Sequence, residues 1–231
     1  MVTGASRGVG RAIALELASR KARLALVARD GAALARVCEE VAERGGEADA
    51  FPADLTERGS IPDLVERIAG RLGQLDALVN NAGAFDFRSV ADADLARWDR
   101  LLDLNLRAAI HLTRHALPHL CRRPSSAVVN VASVAGKDYV AGGAAYSASK
   151  FGLYGFGGSL FEDVRDRGVK VCTIAPGQAA ARIDHAPAAP DAFVPLADIA
   201  RVVAFVLEFP ATSCPTEIVL RAQRSPGAGT T

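Results

Sequence analysis

Three side chains of this sequence have the types and the spacing needed for acid–base chemistry. Tyr146 and Lys150 are four residues apart at the start of a predicted helix, so they lie on the same helix face. A nearby ammonium stabilises the phenolate, which suits Tyr146 to proton transfer near neutral pH. Ser133 follows a predicted strand, at the edge where open α/β sheets bind ligands, and its hydroxyl could hydrogen-bond a substrate oxygen. Neither Tyr139 nor Tyr154 has a lysine four residues further on.

A glycine-rich turn at the start of the sequence has the composition of a phosphate-binding loop. Glycines at positions 4, 8 and 10 stand between a short apolar run and a helical pattern, with the spacing GxxxGxG instead of the common GxGxxG. Glycine permits a tight turn and lets a diphosphate approach the backbone, where the amides at a helix N-terminus attract negative charge. The turn therefore predicts a dinucleotide site, although such a turn can also be purely structural. Its candidate residues are Gly4, Ser6, Arg7, Gly8, Val9 and Gly10.

The residues after the second predicted strand indicate which dinucleotide this loop binds. Folds that bind NAD usually place a carboxylate there, about 20 residues past the glycines, to bind the ribose 2′-hydroxyl. This sequence has Ala28 followed by Arg29, so Arg29 and Arg7 could together bind a 2′-phosphate. Asp30 comes one residue later and is expected to cap the next helix. We therefore predict NADP(H) in preference to NAD(H); a solvated surface arginine is the alternative interpretation of Arg29.

These residues stand at the ends of short apolar runs that alternate with amphipathic segments, a pattern typical of parallel strands joined by crossover helices. Strands are predicted at 1–3, 23–28, 76–80, 126–132, 169–175 and 217–221, and helices at 8–20, 31–44, 57–72, 94–121 and 144–167. We predict one α/β domain over residues 1–231, a Rossmann-type doubly wound parallel sheet of about seven strands with helices on both faces. The first strand is short for a central strand, so a few residues upstream of Met1 are expected to be missing from this numbering.

Composition excludes several classes of protein. Half of the 231 residues are hydrophobic, 23% are charged and the net charge is +1, which fits a globular chain without a basic field for nucleic acid or anionic lipid. No apolar run is long enough to cross a bilayer, and no signal pattern precedes the glycine-rich turn. Four cysteines lie far apart without a CxxC pair, which indicates reduced thiols in a cytoplasmic protein. Residues 225–231 are predicted to form a flexible tail.

Further short motifs follow the glycine-rich turn. Asn-Asn-Ala-Gly stands at 80–83, Asp54 lies in Ala-Asp-Leu, Asn105 lies in Asp-Leu-Asn-Leu, and Pro176-Gly177 follows the strand predicted at 169–175. Ser133 and Tyr146 are thirteen residues apart. With these motifs in this order, the sequence resembles the short-chain dehydrogenase/reductase family from Thr3 to about Arg221.

The resemblance implies an oxidoreductase that transfers hydride between NADP(H) and a carbonyl or alcohol substrate. It implies that Tyr146 donates a proton to the carbonyl oxygen and that Ser133 positions this oxygen. Lys150 would assist Tyr146 and bind the nicotinamide ribose, and Asn105 would support a water chain that reprotonates Tyr146. The further cofactor-binding residues, besides Tyr146 and Lys150, would be Asp54, Leu55, Asn81, Ala82, Gly83, Pro176 and Gly177. A homodimer or homotetramer formed through helices 94–121 and 144–167 is also implied.

The sequence departs from the family pattern in the segment that shapes the substrate pocket. Ala181 stands where many members have a threonine that binds the nicotinamide carboxamide. The substrate-loop region 178–196 is short and rich in alanine and proline, which favours a mobile or extended loop over a packed helix, and with it an open, poorly discriminating pocket. Phe85 and Phe87 either line an apolar pocket or pack under their own loop.

A helix with regularly spaced histidines invites a metal-binding interpretation. His111, His115 and His119 recur every four residues and so share one face. No cysteine or carboxylate cluster completes a site around them, so we predict solvated or interface histidines and no metal.

Two other functions stay open beside the carbonyl reductase. A 3-oxoacyl-thioester reductase that acts on carrier-bound chains would need a basic surface for an acidic carrier. Candidates for that surface are Arg122, Arg123, Arg165 and Arg167. A non-catalytic NADP-binding regulatory protein would be expected to have lost part of its catalytic set. Ser133, Tyr146, Lys150 and Asn105 are all present, which favours an enzyme.

Overall fold

The computed structural model of the chain describes residues 1–179 and 193–224. Its strands are β1 (Val2–Thr3), β2 (Arg23–Ala28), β3 (Glu47–Pro52), β4 (Ala77–Asn80), β5 (Ser126–Val131), β6 (Val169–Pro176) and β7 (Glu217–Leu220). They form one parallel sheet in the order β3-β2-β1-β4-β5-β6-β7. The order reverses between β1 and β4, so the connections after these two strands part and open a crevice at the carboxyl edge of the sheet.

Helices connect the strands and cover both faces of the sheet. They are α1 (Gly8–Ser19), α2 (Gly31–Glu43), α3 (Ile61–Leu72), α4 (Leu95–Leu102), α5 (Ala108–Leu120), α6 (Ala144–Val164) and α7 (Leu196–Glu208). One hydrophobic core lies between the sheet and α1, α2 and α7, and a second lies between the sheet and α3, α5 and α6. Neighbouring strand residues such as Leu26 and Val27 enter opposite cores, because side chains alternate along a strand. The predicted doubly wound α/β sheet is confirmed.

The sequence pattern does not predict β3, which forms one edge of the sheet. Its residues are acidic, small or proline apart from Phe51, a composition that disfavours strands. Nevertheless β3 pairs with β2 over its whole length. Arg71 lies 2.8 Å from Asp49 and joins the strand to the end of α3. Only one side of an edge strand is paired, so its strand character depends on this neighbour more than on its own residues.

The prediction of one continuous α-helix over 94–121 is wrong. A π-helical turn at Asp103–Arg107 separates α4 from α5. Such turns widen the helix locally and occur mostly at functional sites, and this one carries the buried Asn105. The other predicted helices are observed within a few residues of their expected ends, with short 3₁₀ turns at Arg58–Ser60 and Arg165–Arg167.

The substrate-loop region 178–196 lies mostly outside the described residues, as do Ala181 and the tail 225–231, and the predictions for them stay predictions. The base of the region is described. Val194 donates its backbone N–H to the Gln178 carbonyl over 2.8 Å, so the two ends of the region lie side by side.

Candidate active site

The glycine-rich turn joins β1 to the first turn of α1 in a conformation that only glycine adopts easily. Gly4 and Gly8 have φ values of 64° and 57°, in the left-handed region. A Cβ on Gly10 would lie 2.2 Å from the Gly4 carbonyl oxygen, so the helix and the turn approach each other as closely as backbones allow. Arg7 occupies the N-cap position of α1 without a side-chain cap, and the first helical turn holds no acid. The amides of this helix end are therefore available to an anion, which fits a diphosphate.

Two arginines lie near this turn with their charges exposed. Neither Arg7 nor Arg29 forms a salt bridge within the described residues. Asp30 caps α2 by accepting a hydrogen bond of 2.9 Å from the Ala33 N–H, as predicted, so its carboxylate is occupied. The end of β2 therefore presents the guanidinium group of Arg29 in place of the carboxylate that a ribose 2′-hydroxyl would require.

Thr3, at the end of β1, forms hydrogen bonds with the Asn-Asn-Ala-Gly turn that follows β4. The Thr3 hydroxyl accepts hydrogen bonds from the N–H groups of Asn81 (2.9 Å) and Ala82 (3.0 Å). The Asn81 amide in turn donates to the Thr3 carbonyl over 2.8 Å. Asn81 and Ala82 thus support the walls of the crevice, while Gly83 is exposed beside Asn105.

Ser133 follows β5 and begins a 3₁₀ turn at Val134–Gly136. Its hydroxyl accepts a hydrogen bond of 3.1 Å from the Ala135 N–H, which fixes the side chain at the carboxyl edge. The turn lies directly on α6, since a Cβ on Gly136 would be 2.8 Å from the Lys150 carbonyl oxygen. The turn that follows Ser133 therefore packs against α6 at Lys150.

Tyr146 and Lys150 lie on one face of α6, with the Lys150 ammonium 5.7 Å from the centre of the Tyr146 ring. Lys150 is only 5% exposed, and its ammonium donates one hydrogen bond of 3.0 Å, to the Val131 carbonyl. Burial lowers the pKa of Lys150 to about 8, because the charged form loses its hydration. A cation in this position favours the phenolate of Tyr146 over the phenol.

Asn105 connects the π-helical turn to both sides of the site. Its Oδ1 accepts the Ala84 N–H over 2.7 Å, and its Nδ2 donates to the Ala84 carbonyl over 2.8 Å. The same nitrogen donates to the Ser149 hydroxyl over 3.1 Å, and Ser149 donates to the Tyr146 carbonyl over 2.7 Å. Both amide hydrogens of Asn105 are thus used by protein groups, and the side chain ties the loop after β4 to α6.

The remaining predicted cofactor residues lie along the same carboxyl edge. Asp54 accepts hydrogen bonds from the N–H (2.9 Å) and hydroxyl (2.7 Å) of Thr56. These bonds, together with the positive charge of Arg29, lower the pKa of Asp54. Leu55 is buried, and Gly177, after Pro176 at the end of β6, donates its N–H to the Leu220 carbonyl over 2.7 Å.

Phe85 and Phe87 do not pack under their loop. They are 49% and 38% exposed, and the Phe87 ring lies 5.7 Å from the Tyr146 ring. The apolar surface beside Tyr146 therefore begins at Phe87.

Comparisons with known proteins agree with this geometry. The family model described as "short chain dehydrogenase" matches residues 1–189. The chain belongs to the short-chain dehydrogenase family. A relative within the family is the ketoacyl reductase HetN of a Nostoc species, 38% identical over 77% of this chain, although the match spans only 62% of HetN.

Solved structures of the family have the same fold as this chain. A metagenomic short-chain oxidoreductase in complex with NADP is 37% identical, with a TM-score of 0.86 over 96% of each chain. A short-chain dehydrogenase of Burkholderia cenocepacia in complex with NADP is 31% identical, with a TM-score of 0.87 over 96% of this chain and 95% of that one. As a member of this family, the chain is an oxidoreductase of the class that acts on CH–OH and C=O groups.

One of the three regularly spaced histidines pairs with a carboxylate on a neighbouring helix. His119 Nε2 lies 2.9 Å from a carboxylate oxygen of Glu66 and joins α5 to α3. Among residues 1–179 and 193–224, no group of three His, Cys, Asp or Glu side chains could hold a metal ion. Within the same ranges, no helix has both the length and the apolar character needed to span a membrane.

Sequence reasoning missed two residues that position the site. The sequence pattern places Thr3 only at the end of the first predicted strand, and it assigns no role to Ser149. The signal for Ser149 was present, since it lies three residues after Tyr146 and adjacent to Lys150 on a helix. The partner of Ser149, Asn105, is 44 residues away along the chain, and no local pattern predicts that contact.

Proposed function

We propose that this short-chain dehydrogenase is an NADP(H)-dependent carbonyl reductase whose proton donor is Tyr146. The observation that carries the proposal is the buried Lys150 ammonium beside the Tyr146 ring. A tyrosine that shares its helix face with a desolvated cation is suited to exchange a proton near neutral pH. We assign to Ser133 a hydrogen bond to the same substrate oxygen; the support is that its hydroxyl is held by the Ala135 N–H on a turn that packs against α6.

In the proposed mechanism the chain's own groups orient the substrate and move one proton. NADPH, when bound, supplies the hydride. Tyr146 donates its phenolic proton to the carbonyl oxygen, and Ser133 holds this oxygen by a hydrogen bond. Lys150 stabilises the resulting phenolate and binds the nicotinamide ribose. Asn105 acts as a positioning residue, because its amide holds Ala84 and Ser149; a water chain near it would return the proton to Tyr146.

We propose NADP(H) in preference to NAD(H) because two exposed guanidinium groups flank the proposed site, that of Arg29 directly after β2 and that of Arg7 in the glycine-rich turn. Arginine binds phosphate through several parallel hydrogen bonds, which favours a 2′-phosphate there. The two NADP complexes of relatives support the same preference. Around the diphosphate, the candidate residues remain Gly4, Ser6, Gly8, Val9 and Gly10 of the turn. Towards the adenine and the nicotinamide, they remain Asp54, Leu55, Asn81, Ala82, Gly83, Pro176 and Gly177.

A 3-oxoacyl-thioester reductase is the second candidate, and the similarity to the ketoacyl reductase HetN favours it. The basic surface that it would need is only partly available. Arg123 lies 2.6 Å from Asp76 and Arg165 lies 3.1 Å from Glu162, whereas Arg122 and Arg167 are exposed without ion pairs in the described part of the chain.

We also propose a homodimer or homotetramer in the cytoplasm. Leu95 on α4 and Phe151 on α6 are 68% and 38% exposed, and large apolar side chains on these helices would be covered by a second copy. All four cysteines are free thiols, as a reducing compartment allows.

The proposal is tested by the steady-state loss of NADPH absorbance with a panel of aldehydes, ketones, diketones and 3-oxoacyl thioesters. We expect Tyr146→Phe to lower kcat by about 100-fold or more, since a positioned proton donor contributes 10²–10⁴-fold. Tyr139→Phe is the matched control, because Tyr139 is 94% exposed and keeps its stacking on Phe151 as a phenylalanine. Equal activity of the wild type and Tyr146→Phe would contradict the assignment.

The same panel separates the alternatives. Turnover confined to 3-oxoacyl thioesters would favour the second candidate. Faster turnover with NADH than with NADPH would contradict the role of Arg7 and Arg29. Tight NADPH binding by calorimetry, without reduction of any carbonyl, would favour a non-catalytic binding protein.

A further inference from the structure

Phe85, Phe87 and Tyr146 form a continuous aromatic surface, here called the aromatic wall. The Phe85 and Phe87 ring centres are 6.2 Å apart, those of Phe87 and Tyr146 are 5.7 Å apart, and both pairs are tilted by 48°. Aromatic rings prefer tilted or offset contacts at 4.5–7 Å, so each ring contacts the next favourably. The wall thus extends from the proposed proton donor to the protein surface.

The segment that carries the two phenylalanines is fixed at its start and in its middle. Asn105 holds Ala84 by two hydrogen bonds. Between the phenylalanines, Asp86 points inward and is only 5% exposed, with Arg97 at 3.4 Å and Arg88 at 3.6 Å. Because a buried carboxylate must keep its cationic partners, this residue anchors the segment and leaves both phenyl rings on its outer side.

Phe87 also rests on the turn that begins α6. A Cβ on Gly143 would lie 3.3 Å from Cε1 of Phe87 and 3.3 Å from Cβ of Val140. Gly143 therefore leaves the space in which Phe87 and Val140 meet, three residues before Tyr146. The orientation of the Phe87 ring is set by protein contacts before any substrate binds, and preorganised contacts cost little entropy on binding.

We infer that the aromatic wall receives an aryl group attached directly to the carbonyl carbon of the substrate. This inference rests on the proposed function. The apolar surface starts at the ring of the proton donor itself, so the substituent that contacts it must begin close to the reacting carbon, and a substituent bonded to that carbon meets this condition most directly. An aryl ring can make the same tilted ring-to-ring contact with the wall that Phe85 and Phe87 make with each other. A saturated ring of equal size buries apolar surface there but makes no aromatic contact.

The test compares acetophenone, cyclohexyl methyl ketone and butanone in the wild type, Phe87→Leu and Phe87→Ala. We expect the wild type to have a several-fold higher kcat/KM for acetophenone than for cyclohexyl methyl ketone. Phe87→Leu keeps apolar bulk but removes the ring, and should lower the acetophenone-to-butanone ratio of kcat/KM by about tenfold, mainly through KM. The control is Phe205→Leu. Phe205, on α7, is 50% exposed, its ring centre lies 5.2 Å from that of Phe209, and α7 packs on the other face of the sheet from α6.

An unchanged ratio in Phe87→Leu, or a wild type that reduces butanone but not acetophenone, would overturn the inference and leave the proposed function intact. A wild type that reduces none of the aldehydes, ketones, diketones and 3-oxoacyl thioesters of the earlier panel would instead contradict the proposed function. In that case ligand-observed NMR of acetophenone with NADP⁺ and each protein still decides the inference. Binding weakened about tenfold by Phe87→Leu and unaffected by Phe205→Leu supports an aryl site, and equal or absent binding overturns it.

Discussion

At the scale of single residues, Lys150 shows how the site is made reactive at the expense of stability. Within residues 1–179 and 193–224, the buried ammonium makes one hydrogen bond, to Val131, although a lysine has three donors. Its pKa is lowered to about 8 in the folded chain, against 10.5 when exposed. The unfolded chain therefore binds more protons between these values, so this group makes the folded state more stable as pH rises from 8 to 10.5.

We expect Lys150→Met to stabilise the cofactor-free protein while abolishing ketone reduction. Methionine removes the cost of a buried, poorly paired charge, which amounts to about 3 kcal/mol for a pKa lowered from 10.5 to about 8. Loss of the bond to Val131 offsets part of this, so the free energy of unfolding at pH 7 should rise by about 1–2 kcal/mol. Urea unfolding at pH 7, 8.5 and 10 checks both the rise and its disappearance at high pH.

Lys137→Met is the control for that experiment, because Lys137 is an exposed lysine paired with Glu217. It should leave the pH dependence between 8 and 10 as in the wild type. A Lys150→Met protein that is less stable than the wild type at pH 7, with an unchanged pH profile, would show that the folded chain accommodates this charge without penalty.

At the scale of elements, the site depends on close backbone contacts that the sequence pattern indicates only in part. The glycine spacing correctly predicts the turn between β1 and α1, because glycine at positions 4 and 8 adopts a left-handed φ. The break in helix 94–121 is not predictable in the same way. The apolar spacing continues through Asp103–Arg107, and the π-helical turn is stabilised by bonds from Asn105 to Ala84 and Ser149, which are distant in sequence.

We expect Gly10→Ala to weaken NADPH binding strongly. Its Cβ would lie 2.2 Å from the Gly4 carbonyl and 2.5 Å from the Asn81 amide, so α1 must move away from the turn. A shift of this kind displaces the amides proposed to bind the diphosphate. Calorimetric titration with NADPH should therefore show a Kd raised at least 100-fold, a loss of about 3 kcal/mol in binding free energy.

The matched control is Gly70→Ala, on the exposed side of α3. Nothing lies within 4 Å of a Cβ on Gly70, so alanine should raise the free energy of unfolding by about 0.5–1 kcal/mol and leave NADPH binding unchanged. Wild-type affinity in Gly10→Ala would mean that the turn does not hold the diphosphate.

At the scale of the whole molecule, the parallel sheet brings residues from the six connections after β1 to β6 to one edge. Apolar runs and crossover spacing predict the sheet, since they depend on local periodicity and burial. They cannot predict which side chains meet across the crevice. The contact of Phe87 with Tyr146 and the pairing of Thr3 with Asn81 depend on strand order. Local sequence patterns do not predict that order; only the family resemblance implies it.

A second buried lysine, Lys170, also has its pKa lowered by burial, but it makes more hydrogen bonds than Lys150. Lys170 extends from β6 to the end of α7 and is 5% exposed. Its ammonium donates to the carbonyls of Phe209 (2.6 Å), Leu207 (3.1 Å) and Val206 (3.2 Å). All three donors are satisfied, and the positive charge lies at the negative end of the helix dipole. It thereby joins the sheet to the helix layer on one face.

Lys170→Met should therefore destabilise the protein, whereas Lys150→Met should stabilise it. Methionine would leave three carbonyls at the end of α7 without their donor, and we expect the free energy of unfolding at pH 7 to fall by about 2–4 kcal/mol. NADPH binding should persist at temperatures where the variant stays folded, since Lys170 lies at the amino half of β6, away from the carboxyl edge. Urea unfolding of both variants side by side measures the contrast. If both substitutions change the free energy of unfolding in the same direction, burial alone determines how a buried lysine affects stability in this fold. The number of hydrogen bonds made by each ammonium would then not decide it.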